Sequence, residues 1–137
     1  MNTGSYILLI KVKDDFEIDI RHRKVLIKEG LYAYIGSAMK NLHQRVGRHL
    51  TFKEKQNKQH WHIDKILEKE ESQIIFVSMV PSLNRLEERI SKKFSLSFDY
   101  IENFGSTDLR VKSNFYIIDD IDAFFQIIKT IVVKAQF

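Results

Sequence analysis

The chain has 137 residues, of which 44% are hydrophobic and 29% are charged, and its formal net charge is +4. This length favours one domain over residues 1–137, and the absence of cysteine excludes disulfides, thiolate zinc sites, iron–sulfur clusters and a cysteine nucleophile. The sequence shows neither a signal-peptide pattern nor an apolar run of roughly 18 to 20 residues, which predicts a cytoplasmic protein without membrane contact.

Four strands are predicted in the first part of the chain, because apolar residues alternate with polar ones there. They cover residues 4–12, 16–20, 25–30 and 31–36. We expect the first two to form a hairpin across the polar residues 13–15, and the other two to pair, with turns available at Glu29-Gly30 or Gly36-Ser37. A small antiparallel sheet is therefore predicted for the first quarter of the chain.

A helix is predicted over 40–50, because apolar residues recur at every fourth position there and Asn41 is a suitable N-cap. The predicted inner residues are Leu42, Val46 and Leu50. The predicted outer residues are Arg45, Arg48 and His49. Residues 53–59 are predicted to form a charged loop.

Helices and strands are mixed in the rest of the chain. The predicted elements are a helix over 60–71 with Ile63, Ile66 and Leu67 inside, a buried strand over 74–80 stopped by Pro81, a helix over 82–94 capped by Ser82, a strand over 115–118 and a final helix from Asp119 or Asp120. Together the elements predict an α+β fold, in which a small, mainly antiparallel β-sheet is flanked by helices.

Positive charge is concentrated in one part of the chain. Residues 21–58 contain ten Lys or Arg and two acids, Glu29 and Glu54, which gives this segment a charge of +8 and leaves −4 for the remainder. Such an asymmetry indicates a surface for a polyanion, of which nucleic acid is the commonest. A solvated basic face of a soluble protein is the alternative interpretation.

Several short motifs occur in a distinctive order along the chain. The order is Gly4-Ser5-Tyr6 in the first strand, Tyr34-Ile35-Gly36 in the fourth, Arg45 and His49 one helical turn apart, Glu87 in a later helix and Asn114 near the last strand. The set resembles the GIY-YIG nuclease superfamily, and the strings GLYAYIGSA, RVGRHL, HWHID and FGSTD resemble one branch of it. The resemblance covers Gly4 to about Ile118 and implies a GIY-YIG-like fold, with Asn114 as the late Asn of the catalytic set.

The resemblance implies roles that suit phosphodiester hydrolysis. Arg45 would stabilise negative charge on the nonbridging phosphate oxygens, and Glu87 would hold Mg²⁺ or Mn²⁺. Tyr6 and Tyr34 would supply a base or an orienting group for water, with a pKa lowered by a nearby metal and cations from its usual value of about 10. Arg45 and His49 lie about 6 Å apart on one helix face, close enough to meet the same phosphate or for His49 to assist proton transfer.

Each of these residues also has an ordinary structural interpretation. Tyr6 and Tyr34 are aromatic residues of the kind that strands favour, Arg45 is a typical solvated helix cation, and Glu87 resembles its neighbour Glu88 as a surface acid. The joint order of the residues favours the nuclease interpretation. Glu87 is preferred over Glu88 because its distance to the following apolar and basic residues matches the spacing in the superfamily.

The string HWHID, residues 60–64, has three interpretations. It can begin a helix, with His60 near the cap, Trp61 packed and Asp64 favoured by the helix dipole. It can contact nucleic acid through Trp61 and the two histidines. It can bind a metal through His60, His62 and Asp64, although histidines two residues apart diverge once a helix begins.

The predicted nucleic-acid contacts combine this string with residues around the first helix. They are Gly36, Ser37, Arg48, Lys53, Lys55, Lys58, His60, Trp61, His62 and Asp64. The lysines would hold the phosphate backbone without reading sequence. We expect a metal-dependent endonuclease that acts on DNA in preference to RNA, is structure-specific or nonspecific, and works in DNA repair with a partner protein or a second copy of the chain.

Two other functions are compatible with the sequence. A noncatalytic nucleic-acid-binding module would keep the fold and the basic face, but it would not need Arg45 and Glu87. A protein-interaction domain would use the apolar residues 127–133 as an exposed dimer seam.

The chain departs from the resembling branch around FGSTD. It lacks the cysteines and the Ser-His pair that members of the branch often carry there. Ser106, Thr107 and Asp108 favour a turn over a place in the site.

Overall fold

An antiparallel sheet of four strands organises residues 1–102, 104 and 113–135, which are those described by the computed structural model. In chain order the elements are β1 (Gly4–Val12), β2 (Phe16–Ile20), β3 (Arg23–Ile27), β4 (Gly30–Ala38), α1 (Leu42–Leu50), α2 (Phe52–Lys55), α3 (His62–Leu67), β5 (Ser72–Pro81), α4 (Glu87–Ser95), β6 (Phe115–Ile118) and α5 (Ile121–Ala135). The sheet has the order β5-β1-β4-β6, and β2 and β3 form a separate two-stranded ribbon. Helices flank the sheet, so the predicted α+β class is confirmed.

Strand β1 lies inside the sheet and is apolar on both faces. Tyr6, Leu8 and Ile10 belong to one hydrophobic core, while Ile7 and Leu9 belong to a second core. The first core also takes side chains from α1, α3 and the ribbon, and the second takes side chains from α4 and α5. The sheet is therefore covered on both faces.

The predicted strands are present, but the predicted hairpins are wrong. β1 pairs with β4, which places Tyr6 opposite Gly36, and with β5, whereas β2 pairs with β3. The ribbon lies between β1 and β4 in the chain. Its residues Phe16, Ile18 and Ile20 are buried in the first core, where β2 packs against α3. Alternation of apolar residues identifies the two faces of a strand, but it does not identify the strand's partner.

Several helix and strand details differ from the predictions. In α1, Leu50 is half-exposed and His49 is buried, which reverses the expected inner and outer positions. The predicted charged loop contains α2, and β5 is a half-exposed edge strand where a buried one is expected. Helix α4 begins only at Glu87, and the Ser82 hydroxyl accepts a hydrogen bond from the N–H of Asn84 outside the helix.

The C-terminal elements follow the predictions. Asp120 Oδ1 accepts a hydrogen bond from the N–H of Ala123 at the start of α5, as expected of an N-cap. Ile128 and Ile131 lie in the second core, so this stretch is not the exposed seam that the protein-interaction alternative requires. Within the described part of the chain, no helix has the length and apolarity that crossing a membrane requires.

Candidate active site

One cavity of about 340 Å³ brings together side chains from β1, β4, the helices α1, α3 and α4, and the segments next to them. It is lined by Tyr6, Tyr34, Gly36, Ser37, Arg45, His60, Trp61, His62, Arg85, Glu87 and Asn114. Pairing of β1 with β4 places the two tyrosine-containing motifs next to each other, and α1 packs on both strands. The structure therefore gathers residues that lie more than a hundred positions apart in the sequence.

Gly36 makes room for the ring of Tyr6. A Cβ atom at position 36 would lie 2.5 Å from the Tyr6 hydroxyl oxygen and from its Cζ atom, which is far inside van der Waals contact. The Tyr-Ile-Gly motif thus has a steric reason in this fold, since any side chain at its third position would displace the tyrosine of the other motif.

Tyr6 is hydrogen-bonded to His49 at the buried side of the cavity. The Tyr6 hydroxyl oxygen lies 2.7 Å from His49 Nε2, and His49 itself is only 2% exposed and does not line the cavity. His49 Nδ1 has no hydrogen-bond partner among the described residues. His49 therefore does not line the cavity beside Arg45, and its hydrogen bond to Tyr6 links it to a residue that does.

The pKa of His49 is lowered to about 4, because burial disfavours the charged imidazolium. The unfolded chain binds a proton on this histidine near pH 6.5, whereas the folded chain does so only near pH 4. Stability should therefore fall as the pH is lowered through this window, by up to about 3 kcal/mol. Urea unfolding between pH 7 and pH 4 measures this loss.

The matched pair for this measurement is His49→Gln and His43→Gln. The first removes the buried titrating group and should flatten the pH dependence of stability. The second makes the same change at an exposed position of the same helix. An equally steep loss of stability in the His49→Gln variant would show that another group is responsible.

Both cavity tyrosines are harder to ionise than a free tyrosine. Burial raises the pKa of Tyr6 well above its usual value, and Arg45 opposes this effect without overcoming it. Burial likewise raises the pKa of Tyr34. The protein's own cations therefore do not lower the pKa of either tyrosine below its usual value, and both hydroxyls are neutral at physiological pH.

Arg45 is held in a fixed position at the cavity wall. Its Nη1 donates a hydrogen bond of 2.7 Å to the Ser37 carbonyl oxygen, and its guanidinium carbon lies 4.6 Å from the centre of the Trp61 ring. Contact with an aromatic face adds cation–π attraction and limits the rotamers that the arginine can adopt. The guanidinium is thereby presented to the cavity with N–H donors to spare.

The HWHID string holds the start of α3 against α1. Asp64 is fully buried, and its Oδ2 accepts hydrogen bonds from the backbone N–H groups of His60 and Trp61, at 2.7 and 3.0 Å. Its Oδ1 accepts a 3.0 Å bond from Arg48 Nη1, and the Arg48 guanidinium lies 4.8 Å from the Trp61 ring centre. The helix-start interpretation of this string is therefore confirmed for Asp64.

Arg48 and Asp64 do not line the cavity, although both were predicted to contact nucleic acid. Arg48 is also bound to the Lys58 carbonyl oxygen at 2.8 Å, so its guanidinium serves structural contacts. His60, Trp61 and His62 do line the cavity. No group of three or more His, Asp or Glu side chains suited to a metal ion is present in the described ranges, which counts against the metal interpretation of HWHID.

Glu87 and Asn114 are neighbouring polar residues that line the cavity. Glu87 opens α4 and is 7% exposed, and burial raises its pKa, while Arg85, a side-chain hydrogen bond from Asn114 and Arg45 act in the opposite direction. Asn114 is buried just before β6, and its Oδ1 has no hydrogen-bond partner among the described residues. Glu88 instead pairs with Lys92 at 3.3 Å on the surface, so the acid in the cavity is Glu87.

Arg85 is the cavity residue that sequence reasoning missed. It lies on the segment before α4, is exposed, and is the strongest charged influence that lowers the pKa of Glu87. Its position two residues before Glu87 could have indicated that it lies near the site. The predicted helix over 82–94 instead places Arg85 on the surface of that helix.

The three lysines expected to hold phosphates do not line the cavity. Lys53 Nζ donates a 2.5 Å hydrogen bond to the Ser72 carbonyl oxygen at the start of β5, and burial lowers the pKa of this lysine. Lys55 and Lys58 lie near it in sequence, on either side of the end of α2. Ser106, Thr107 and Asp108 lie outside the described residues.

A comparison with known families covers nearly the whole chain. Residues 5–136 match the family model described as "Domain of unknown function DUF123". No curated protein and no solved structure matches the chain. Every residue that lines the cavity falls inside the matched span.

Proposed function

We propose that this chain, which belongs to the DUF123 family, is a metal-dependent endonuclease that hydrolyses phosphodiester bonds in DNA. The observation that carries the proposal is the joint presence in one cavity of a fixed arginine, a buried carboxylate and a tyrosine bound to a neutral histidine. These are the groups that phosphodiester hydrolysis needs for charge stabilisation, metal binding and proton transfer. Their order along the chain also resembles that of the GIY-YIG nucleases.

The charge of the cavity favours an anionic substrate. Arg45 of α1 and Arg85 of the segment before α4 line it, against one carboxylate, Glu87, among the described residues. A guanidinium can donate two parallel hydrogen bonds to a phosphate, and the N–H groups of Arg45 beyond its bond to Ser37 suit that role. The +8 segment 21–58 contributes Tyr34, Gly36, Ser37 and Arg45 to the cavity lining, and its net charge favours nucleic acid over a small phosphate ester.

The oxygen atoms of the cavity fit a hard divalent cation. Mg²⁺ is usually bound by one or two protein carboxylates together with water, and Mn²⁺ accepts similar ligands. The Glu87 carboxylate and the unpaired, buried Asn114 Oδ1 are the two groups that would hold it. When bound, such an ion supplies Lewis-acid stabilisation of the leaving oxygen.

Proton transfer from the attacking water is assigned to Tyr6 and His49. The neutral Tyr6 hydroxyl can accept a proton from water while it passes its own proton to His49 Nε2 across their 2.7 Å hydrogen bond. His49 is neutral at physiological pH, as an acceptor must be, and in this scheme its own proton is on Nδ1. The oxygen–phosphorus bond then forms from water as the bond to the leaving oxygen breaks, and Arg45 stabilises the charge on the nonbridging oxygens.

The proposal is tested by incubating the purified chain with labelled single-stranded, duplex, flap and branched DNA, and with RNA of the same sequences. Mg²⁺ and Mn²⁺ are compared with EDTA, and Arg45→Ala is assayed in parallel. We expect metal-dependent cleavage of DNA that falls at least about a hundredfold in the variant. Binding without cleavage for every metal and substrate would overturn the proposal in favour of the noncatalytic binding module.

A further inference from the structure

The turn between β2 and β3 presents a cluster of basic side chains to solvent. Arg21, His22, Arg23 and Lys24 are all exposed, and together they are called the basic turn below. Among residues 1–102, 104 and 113–135, no carboxylate lies within ion-pair distance of the three cations Arg21, Arg23 and Lys24. The basic turn lies outside the cavity, and the proposed reaction gives it no role.

The backbone of this turn is strained by the residues that it carries. Ile20 pairs with Arg23, which leaves a two-residue turn, and both of its residues have positive φ, 50° at Arg21 and 66° at His22. Turns of this kind favour Asn-Gly, because most residues with a Cβ atom are disfavoured at positive φ. Arg-His at these positions therefore lowers stability while it keeps cationic side chains at the tip.

The ribbon packs on α3, the helix that carries the cavity residue His62. The inner face of the ribbon packs on α3, and Lys65 Nζ of α3 donates a hydrogen bond to the Asp19 carbonyl oxygen. Burial lowers the pKa of His62, and the charges of Lys65 and Arg21 lower it further, so both cations lie within electrostatic reach of a residue that lines the cavity. The ribbon and α3 thus connect Arg21 of the basic turn with His62 of the cavity.

Two acids lie close to the basic turn but do not cancel its charge. Asp19 is opposite Lys24 in the ribbon register, and Glu102 borders a shallow groove together with Arg21. The three full positive charges of Arg21, Arg23 and Lys24 exceed these two negative charges. The basic turn therefore keeps a net positive charge.

We propose that the basic turn is a second contact for nucleic acid, which holds backbone phosphates that flank the one in the cavity. This inference rests on the proposed function, since it takes DNA as the molecule that enters the cavity. Two arginines and a lysine at an exposed tip can each neutralise a phosphate without reading the base sequence. The turn would thereby fix the path of the DNA on the His62 side of the cavity.

The double variant R21N/H22G separates this role from a structural one. It removes one cation and supplies the residues that the turn geometry favours. We expect its urea midpoint to rise while its affinity for a fluorescein-labelled DNA duplex in EDTA falls, and the slope of log Kd against log salt should decrease by about 1. A lower urea midpoint or an unchanged affinity would overturn the inference.

The double variant R23Q/K24Q is the larger test, since it removes two cations from the strand that follows the turn. We expect the Kd for the same duplex to rise about tenfold near 0.15 M salt. K11Q/K13Q removes the same charge from exposed positions at the far end of β1 and should stay within about twofold of the wild type. Equal losses in the two double variants would show that affinity follows net charge alone, which also overturns the inference.

Failure of this inference and failure of the proposed function give different results. If the wild type binds and cleaves DNA but both turn variants behave like K11Q/K13Q, only the role of the basic turn is overturned. If the wild type neither binds nor cleaves DNA in any metal, both proposals are overturned.

Discussion

Replacing Glu87 with glutamine is expected to reduce metal-dependent DNA cleavage by about a thousandfold or more. Glu87 is the one carboxylate among the described residues that line the cavity, so the variant removes the negative charge that would hold the cation. Glutamine keeps the shape of the side chain and an oxygen that can still accept the hydrogen bond from Asn114. Single-turnover cleavage, measured over a range of Mg²⁺ and Mn²⁺ concentrations, gives the size of the loss.

The variant should remain folded. Burial already disfavours the charged form of Glu87 and raises its pKa, so a neutral isostere relieves an unfavourable interaction in the folded state. Its free energy of unfolding at pH 7 should therefore equal or exceed that of the wild type, and its affinity for DNA in EDTA should be retained. Loss of cleavage together with loss of stability would instead point to a structural role.

Glu88→Gln is the matched control for this experiment. It makes the same chemical change one position later, where the carboxylate pairs with Lys92 on the surface at 3.3 Å. An exposed pair of this kind contributes little to stability, so cleavage and folding should stay close to those of the wild type. Cleavage that survives in Glu87→Gln and disappears in Glu88→Gln would show that the wrong acid has been assigned to the cavity.

Strand positions could be predicted from the sequence, but strand partners could not. Residues 16–20 alternate strictly and form a half-buried strand, while β1 carries apolar residues on both faces, as with Tyr6 and Ile7. The alternation indicates that one face of β2 is exposed to solvent, and the two apolar faces indicate that β1 is buried on both sides. Nothing local indicates that β1 would pair with β4 across the whole ribbon, because that choice depends on which surfaces α1 and α3 finally cover.

Most of the residues that line the cavity could be predicted as a set, because their order along the chain is distinctive. Burial within the set could not be predicted. Helical spacing places Arg45, Arg48 and His49 near one another. In the folded chain, however, His49 is hydrogen-bonded to Tyr6, and Arg48 is hydrogen-bonded to Asp64. The burial of His49 and the pairing of Arg48 depend on residues distant in sequence. The helical period of α1 alone therefore cannot predict them.

Removing the Tyr6 hydroxyl or the His49 imidazole should slow cleavage to a similar extent. We expect Tyr6→Phe and His49→Gln each to lower kcat by about a hundredfold to a thousandfold, with little change in KM, because each interrupts the same proton transfer. The double variant should be no slower than the slower single variant, since the two groups act as one unit through a single hydrogen bond. Steady-state cleavage of the best DNA substrate, with kcat and KM measured separately, tests this.

Tyr34→Phe is the control for this comparison of single and double variants. Tyr34 also lines the cavity, and its ring centre lies 6.2 Å from that of His49 with no hydrogen bond between them. Whatever Tyr34→Phe does alone, its effect should therefore multiply with that of His49→Gln, as expected for groups that act independently. If the Tyr6 and His49 effects multiplied as well, the two residues would not share a proton, and His49 would serve only to pack the floor of the cavity beneath Tyr6.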